Sequence, residues 1–274
     1  MVEAKSQRDP PHRPRRGSGL DPGPCGLPGW RRDLVVGVRL RGVERGPYPS
    51  QVRTWPLFGL RVRTERLELR LPDLDMLDDL AELATRGIHD SDSMPFAQPW
   101  TDQLSPLLER SVVQYGLLQI ASWKPEQWTF NAVVLHQGKV IGTQDIEAKD
   151  FALSRSFDTG SWLGREFQGR GFGREMRAAI LHLGFAGLGA EEAITGAFAD
   201  NRASLGVSLS LGYQPNGTAQ VARRGKAATR LVLRLTREQW SEQSHAQVAL
   251  EGLEPCLALM GLTPPQAIPG SGDR

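Results

Sequence analysis

The sequence predicts an α/β (α+β) fold, and three observations carry that expectation. Short stretches with strand periodicity alternate along the chain with longer stretches whose apolar residues recur at helical spacing. An apolar run, Phe157 to Leu163, ends in a turn carrying Gly169, Gly171 and Gly173. An amphipathic segment follows at once, with Phe172, Met176, Ala179, Ile180 and Leu183 spaced i, i+4, i+7, i+8, i+11. Strand, glycine turn and helix are the unit from which such folds are built. The 274 residues are 39% hydrophobic, enough for one sizeable core.

Taken in order, residues 1–54 stand apart. They hold 11 Lys/Arg against 5 Asp/Glu, and 8 of the 19 prolines. Basic, Pro/Gly-rich and without periodicity, this segment is expected to be disordered, because it has too little apolar surface to order itself. It is also a candidate upstream mis-start, since Val52 is a residue that GTG encodes. A nucleic-acid-binding arm is the alternative use of Arg13-Pro14-Arg15-Arg16 and Arg31-Arg32; nucleic acid is nevertheless not the expected partner. Folded sequence begins near Trp55-Pro56-Leu57-Phe58. Arg63 to Arg70 alternates polar and apolar residues as a half-buried strand does. Pro72-Asp73 caps a helix with Leu74, Leu77, Leu80, Ala81 and Ala84 on one face. A polar loop, Gly87 to Thr101, leads to a second helix started by Ser105-Pro106, with Leu108, Val112, Tyr115 and Leu118 as its stripe. Trp128 to Leu135 and Val140 to Ile146 form a hairpin about Gln137-Gly138-Lys139. After the glycine turn and its helix come a strand at Ala193 to Ala199 and a helix at 202–211 that Gly212 stops. A last strand runs through Thr229 to Leu235.

The glycine turn is where chemistry enters. A helix start leaves backbone N–H groups unpaired, the helix dipole favours an anion there, and glycines let a diphosphate lie against the backbone. A Walker loop is excluded because Arg174-Glu175 stands where Lys-Ser or Lys-Thr is required. A dinucleotide fingerprint is excluded because its third glycine falls on Arg174. The pattern that fits is Q/R-x-x-G-x-G/A, met by Gln168, Gly171 and Gly173. About thirty residues on come Asn201-Arg202-Ala203-Ser204, an apolar helix and Leu211-Gly212-Tyr213. The two blocks together resemble the GNAT N-acyltransferases, in which they form the two walls of a coenzyme A site. Thr64-Glu65-Arg66-Leu67-Glu68-Leu69-Arg70 resembles the opening of the RimJ/RimL-like branch. Trp55–Phe58, Met94-Pro95-Phe96, Pro99-Trp100-Thr101 and Ser161-Trp162-Leu163-Gly164, with the C-terminal tail, resemble a mycobacterial succinyl-CoA-dependent member.

The resemblance covers residues 55–240 and implies a GNAT fold, a mixed, strongly twisted sheet with helices on both faces. Residues 241–274 are a C-terminal extension with a short strand at Val248–Gly252, a helix at Cys256–Gly261 and a frayed end. It implies that Gln168, Gly169, Arg170, Gly171, Phe172 and Gly173 hold the pyrophosphate through backbone amides. Trp162, Leu163 and Gly164 would bond the pantetheine and thioester where their strand splays from its neighbour. Asn201 is either a helix cap or a side-chain ligand of the coenzyme. Ser204 is either the candidate acid for the leaving thiolate or an ordinary polar residue of the first helical turn. Two features depart from the family. Ser208 stands where many members place a tyrosine, and Arg223 stands where the RimL-like branch offers a glutamate. Asp145, Glu147 and Asp150 follow the hairpin and are either carboxylates bordering the acceptor groove or part of a solvated face.

The implied reaction is direct attack of a primary amine on the thioester of acetyl-CoA in a ternary complex. Deprotonating an α-amine at pH 7 costs about 1 kcal/mol against about 4.6 for a lysine. A site without a strong base therefore favours a protein N-terminus or a small amine as acceptor. The alternatives are succinyl-CoA as donor, with Arg223, Arg224 or the loop His89 to Thr101 receiving its carboxylate, and a non-catalytic acyl-CoA-binding regulator. Cys25 and Cys256 are too few for a disulfide scaffold, and the five histidines show no metal-ligand spacing, so no metal is expected. No run approaches the ~20 apolar residues of a membrane span, and no signal peptide is evident. A cytoplasmic enzyme is the expectation, with homo-oligomers left open.

Overall fold

The computed structural model describes residues 54–243 and 246–262. The basic segment with Cys25 and Val52, His245, and the frayed end from residue 263 lie outside the described residues.

Two antiparallel strands, β1 (Arg61–Arg63) and β2 (Leu67–Arg70), replace the single strand expected at 63–70. Thr64, Glu65 and Arg66 make a turn between them, closed by the Thr64 amide on the Leu67 carbonyl at 2.9 Å. Helix α1 (Leu74–Thr85) starts where Asp73 accepts the Met76 amide, as the cap predicts. Its buried face is Leu77, Leu80, Ala81, Leu83 and Ala84, while Leu74 is exposed. In α2 (Leu107–Ala121), Leu108 and Val112 are buried as expected, but Leu118 faces out, Tyr115 is only half covered and Gly116 takes the buried position. Strands β3 (Gln127–His136) and β4 (Lys139–Lys149) form the expected hairpin, with Gln137 and Gly138 both at positive φ. A single turn, α3 (Phe151–Ser154), then leads into the apolar run of the sequence.

That run is two strands, β5 (Ser156–Thr159) and β6 (Ser161–Leu163), broken at Gly160. Helix α4 (Phe172–His182) follows and continues through a π-helical turn, Leu183–Gly187. Strand β7 (Glu192–Phe198), helix α5 (Arg202–Ser210), strands β8 (Gln214–Arg223) and β9 (Lys226–Thr236), the short helix α6 (Arg237–Ser241) and strand β10 (Ala249–Glu251) complete the order.

Among the described residues the strands form one mixed sheet in the order β10-β1-β2-β3-β4-β5-β7-β9-β8, with β6 paired to β4. Only β5 and β7 run parallel. Alternation along β3 gives each face a core: Val133 and Leu135 pack with α1 and Val112 of α2, whereas Ala132 and Val134 join Met176, Ala179 and Ile180 of α4. Helices therefore cover both faces. Strand β8 has no counterpart in the sequence reading. It is the edge strand, starts at Gln214-Pro215 and is exposed along nearly its whole length, so no burial imprinted an apolar alternation on it.

Candidate active site

The break at Gly160 opens the sheet. Parallel pairing of β5 with β7 ends at Thr159 opposite Thr195. Beyond it β6 pairs with β4, and β7 continues beside β9. The edge of β6 that faces β7 is thus unpaired, and a gap widens from Gly160 toward the end of both strands. Hydrogen bonding alternates along a strand. Gly164 donates to Ile141 at 3.1 Å and Gly160 accepts from Asp145 at 2.9 Å, so these residues turn their backbone groups toward β4. The intervening Trp162 does the same by alternation, which leaves the amides of Ser161 and Leu163 facing the gap.

The gap runs into the start of α4. Gly169 and Gly171 have φ of +72° and +81°, the left-handed region that side chains disfavour, and no side chain caps the helix. Its first closing bond is the Glu175 amide on the Gly171 carbonyl, so the amides of Phe172, Gly173 and Arg174 precede it. The Gln168 side chain donates to the carbonyls of Ile88 and Leu163 at 2.7 and 2.8 Å, tying the loop to β6. The Phe172 ring is buried against His136, with Arg66 stacked at 4.6 Å, so only its backbone belongs to the turn. Arg66 also grips Glu175 through Nε at 2.7 Å and donates to the Arg170 carbonyl at 3.3 Å. This arginine, in a turn that the sequence presents as strand, brings a cation to the helix start.

Helix α5 closes the other side. A Cβ built on Gly173 would touch Val207 of α5 at 3.7 Å and Leu163 of β6 at 3.9 Å, which shows how closely the three elements converge. Asn201 caps α5 by accepting the Ser204 amide at 3.1 Å. Its side-chain nitrogen makes no hydrogen bond among the described residues. Ser204 is half-buried in the first turn. Ser208, in the slot of the family tyrosine, is fully buried and donates to the Ser204 carbonyl at 3.1 Å. Tyr213 is buried in the core, its hydroxyl beside Thr159 and Arg177.

Asp145 lies at the vertex of the gap. Its Oδ1 accepts the Gly160 amide, and burial pushes its pKa up to about 6, opposed by that hydrogen bond and by the charge of Arg177. Burial, then the Asp145 and Glu147 carboxylates, push the Tyr115 hydroxyl of α2 up to about 12, which places Asp145 on the α2 side of the sheet. Glu147 and Asp158 lie nearby, both raised chiefly by desolvation. Asp150 is elsewhere: in the left-handed region, it caps the α3 turn.

The gap is bridged on this same side. The loop after α1 brings His89, Phe96 and Trp100 into edge-on and tilted ring contact in succession, ending on Trp162 of β6, with centroids 5.2 to 5.9 Å apart. The tip of the β8–β9 hairpin meets that loop. Arg223 lies over Phe198, binds Asp200 through two bonds of 2.8 and 2.7 Å and donates to the Met94 carbonyl. Arg224 binds Asp102 in the same bidentate way. Both arginines expected to receive a donor carboxylate are therefore engaged with aspartates of the chain itself.

A family model described as an acetyltransferase (GNAT) domain matches residues 66–214, more than half of the chain. The chain belongs to the GNAT acetyltransferase family. RimL, a ribosomal-protein α-N-acetyltransferase solved with coenzyme A, is similar at 18% identity over 63% of this chain and 95% of its own, with a TM-score of 0.52. A GNAT-family acetyltransferase from Bacillus anthracis matches at 15% identity over 65% of this chain and 99% of its own, TM-score 0.52. The microcin self-immunity acetyltransferase MccE, solved with acetyl-CoA and AMP, matches at 17% over 63% and 93%, TM-score 0.50. At these identities the likeness is one of fold. Among the described residues no group of three or more His, Cys, Asp or Glu is placed to hold a metal, and no helix is long and apolar enough to cross a membrane.

Proposed function

We propose that this enzyme transfers an acetyl group from acetyl-CoA to a primary amine, the α-amine of a protein N-terminus or a small amine of similar pKa, in a ternary complex. The observation that carries it is the open edge of β6, which leads from Asp145 at the vertex to the uncapped amides of α4. The amides of Phe172 and Gly173 hold the pyrophosphate, Leu163 and Ser161 present backbone groups to the pantetheine, and the amine enters from the α2 side. Asp145 accepts a proton from the attacking nitrogen. As the C–N bond forms and the C–S bond breaks, Ser204 donates its proton to the thiolate and recovers one from solvent, while Asp145 returns the amine proton to solvent.

The pKa of about 6 at Asp145 favours the α-amine. Proton transfer to it from an α-ammonium is uphill by about 2.5 kcal/mol, and from a lysine ammonium by about 6 kcal/mol. The test is thiol release from acetyl-CoA with peptides bearing free or formylated N-termini. Transfer to the free α-amine alone, with kcat lowered about 10²–10⁴-fold in Asp145→Asn, is expected. No thiol release with any acyl donor and acceptor would make the protein an acyl-CoA-binding regulator instead.

Arg230 favours a second reading, in which succinyl-CoA is also a donor. The side chain of this half-buried arginine makes no hydrogen bond among the described residues, lies near Asp158 and occupies the space a Cβ on Gly196 would fill. Gly196 is the first β7 residue past the pairing with β5. A carboxylate at the acyl end would find a cation there. Losing that contact in Arg230→Ala should cost about 10- to 150-fold in succinyl transfer relative to acetyl transfer. An unchanged donor ratio in a competition assay removes succinyl-CoA from consideration.

A further inference from the structure

Arg177 is a buried charged residue with no part in the proton transfers of the proposed reaction. It lies on the sheet-facing side of α4 and is only 4% exposed. Its Nε donates to Gln144 Oε1 at 3.3 Å, Nη1 to Thr195 Oγ1 at 3.2 Å and Nη2 to Ser161 Oγ at 3.0 Å. These acceptors belong to three strands. Thr195 is the last β7 residue paired with β5, Ser161 is the first residue of β6, and Gln144 holds the kink through the Gly160 carbonyl at 2.9 Å. One guanidinium thus spans both arms of the gap at the vertex.

All three acceptors are neutral. A buried cation without a carboxylate in contact is costly, by several kcal/mol, unless a counter-charge lies within reach. Asp145 supplies it across the sheet, through the Gly160 peptide. The groups facing Asp145 are Tyr115 from α2, Glu147 on its own strand, Asp158 from β5 and Arg177 from α4, with Arg230 of β9 beside Asp158. Glu147 and Asp158 favour the protonated carboxyl, and Arg177 opposes them.

We propose that Arg177 is a positioning residue for acyl transfer, setting the width of the β6–β7 gap from beneath and holding Asp145 ionised across the vertex. The proposal rests on Asp145 being the base. The sign follows from the charges. Without Arg177 the protonated carboxyl is favoured further, so the acid limb of kcat/KM moves to higher pH. An opposite charge favours the ionised carboxyl, so its removal raises the pKa.

The experiment measures kcat/KM against pH and coenzyme A affinity by calorimetry in wild type, Arg177→Gln, Arg177→Lys and Asp145→Asn. In Arg177→Gln the limb should rise by about one pH unit, with activity recovering in alkali, and coenzyme binding should weaken several-fold. Arg177→Lys keeps the charge, so the limb should stay near its wild-type place, but an ammonium cannot span three strands and coenzyme binding should still weaken. If Asp145→Asn abolishes the limb while a folded Arg177→Gln leaves it unmoved, the proposal for Arg177 is overturned. If Asp145→Asn keeps the wild-type limb, it is the assignment of the base that fails. Should Arg177→Gln not fold, Thr195→Val, which removes one acceptor, joins Arg177→Lys. Unchanged coenzyme affinity in both overturns the proposal.

Discussion

At Asp145 the carboxyl is held partly out of water between Gly160 and Arg177, and its pKa of about 6 has a consequence for stability as well as for chemistry. A carboxyl raised above its usual value of about 3.9 contributes stability below that pH and loses it as pH rises through 6. The loss, by linkage, is at most about 3 kcal/mol. Asp145→Asn, which can still accept the Gly160 amide, should therefore be more stable than wild type at pH 7 and close to it at pH 4. Urea unfolding at the two pH values measures this, and an equal difference at both would show that the carboxyl is not raised. Gly171 carries the opposite sense, function set by backbone. At φ +81° a valine is strained and crowds the phosphate approach, so Gly171→Val should lose coenzyme binding at least tenfold while circular dichroism shows a fold. Wild-type affinity in that variant would remove the turn from the site. The turn was legible because glycine spacing constrains the backbone directly. Arg177 was not: a charged residue in an amphipathic helix is taken for the solvent face, although it lies four residues after Gly173 and three before Ile180, on the buried side.

Among elements, those fixed by local rules were legible. The cap at Asp73, the Gln137-Gly138 turn and the stop at Gly212 all stand where turn and cap chemistry put them. The breaks at Thr64–Arg66 and Gly160 were hidden, because each interrupts an apolar pattern without changing its composition; an interior glycine in a strand pattern was the one available signal. The β8–β9 hairpin was half hidden, yet it bridges the gap. Its tip is held to the turn after β7 by the Arg223–Asp200 pair and to the segment after α1 by the Arg224–Asp102 pair, both near the surface. Such pairs weigh little in global stability and are screened by salt. Their effect should appear in substrate handling. In Arg223→Ala/Arg224→Ala we expect the acceptor KM to rise several-fold and to lose its dependence on salt, with the melting temperature and coenzyme affinity close to wild type. An acceptor KM unchanged between low and high salt in both proteins would show that the bridge does not border the acceptor path.

For the molecule as a whole, the C-terminal segment decides whether the sheet is finished. From the sequence it is an appended strand and helix; the structure has a three-residue strand, Ala249–Glu251, and a 3₁₀ helix, Glu254–Met260. Strand β10 pairs antiparallel with β1, in register from Arg61–Glu251 to Arg63–Ala249, and so covers that strand's outer edge. The 3₁₀ helix that follows, Glu254–Met260, inserts Cys256 and Met260 fully into the core, and the Leu259 carbonyl accepts the Trp123 indole N–H at 2.7 Å. Trp123 stacks on Trp128, which packs against Phe151, so the segment supports the far end of the β3–β4 hairpin that carries Asp145. Each large apolar side chain removed from burial costs about 1.5–3 kcal/mol. Deleting residues 248–274 should thus cost about 5 kcal/mol, a large part of the 5–15 kcal/mol that holds a domain together. It also bares the β1 edge to pairing with other chains. We expect the truncated chain to melt at least 10 °C lower and to aggregate, losing acyl transfer through unfolding rather than through the site. Adding back saturating coenzyme A should recover part of the melting temperature, since a ligand that binds the folded chain raises its stability. A truncated chain that melts with wild type and keeps its kcat would show that the sheet is complete without β10.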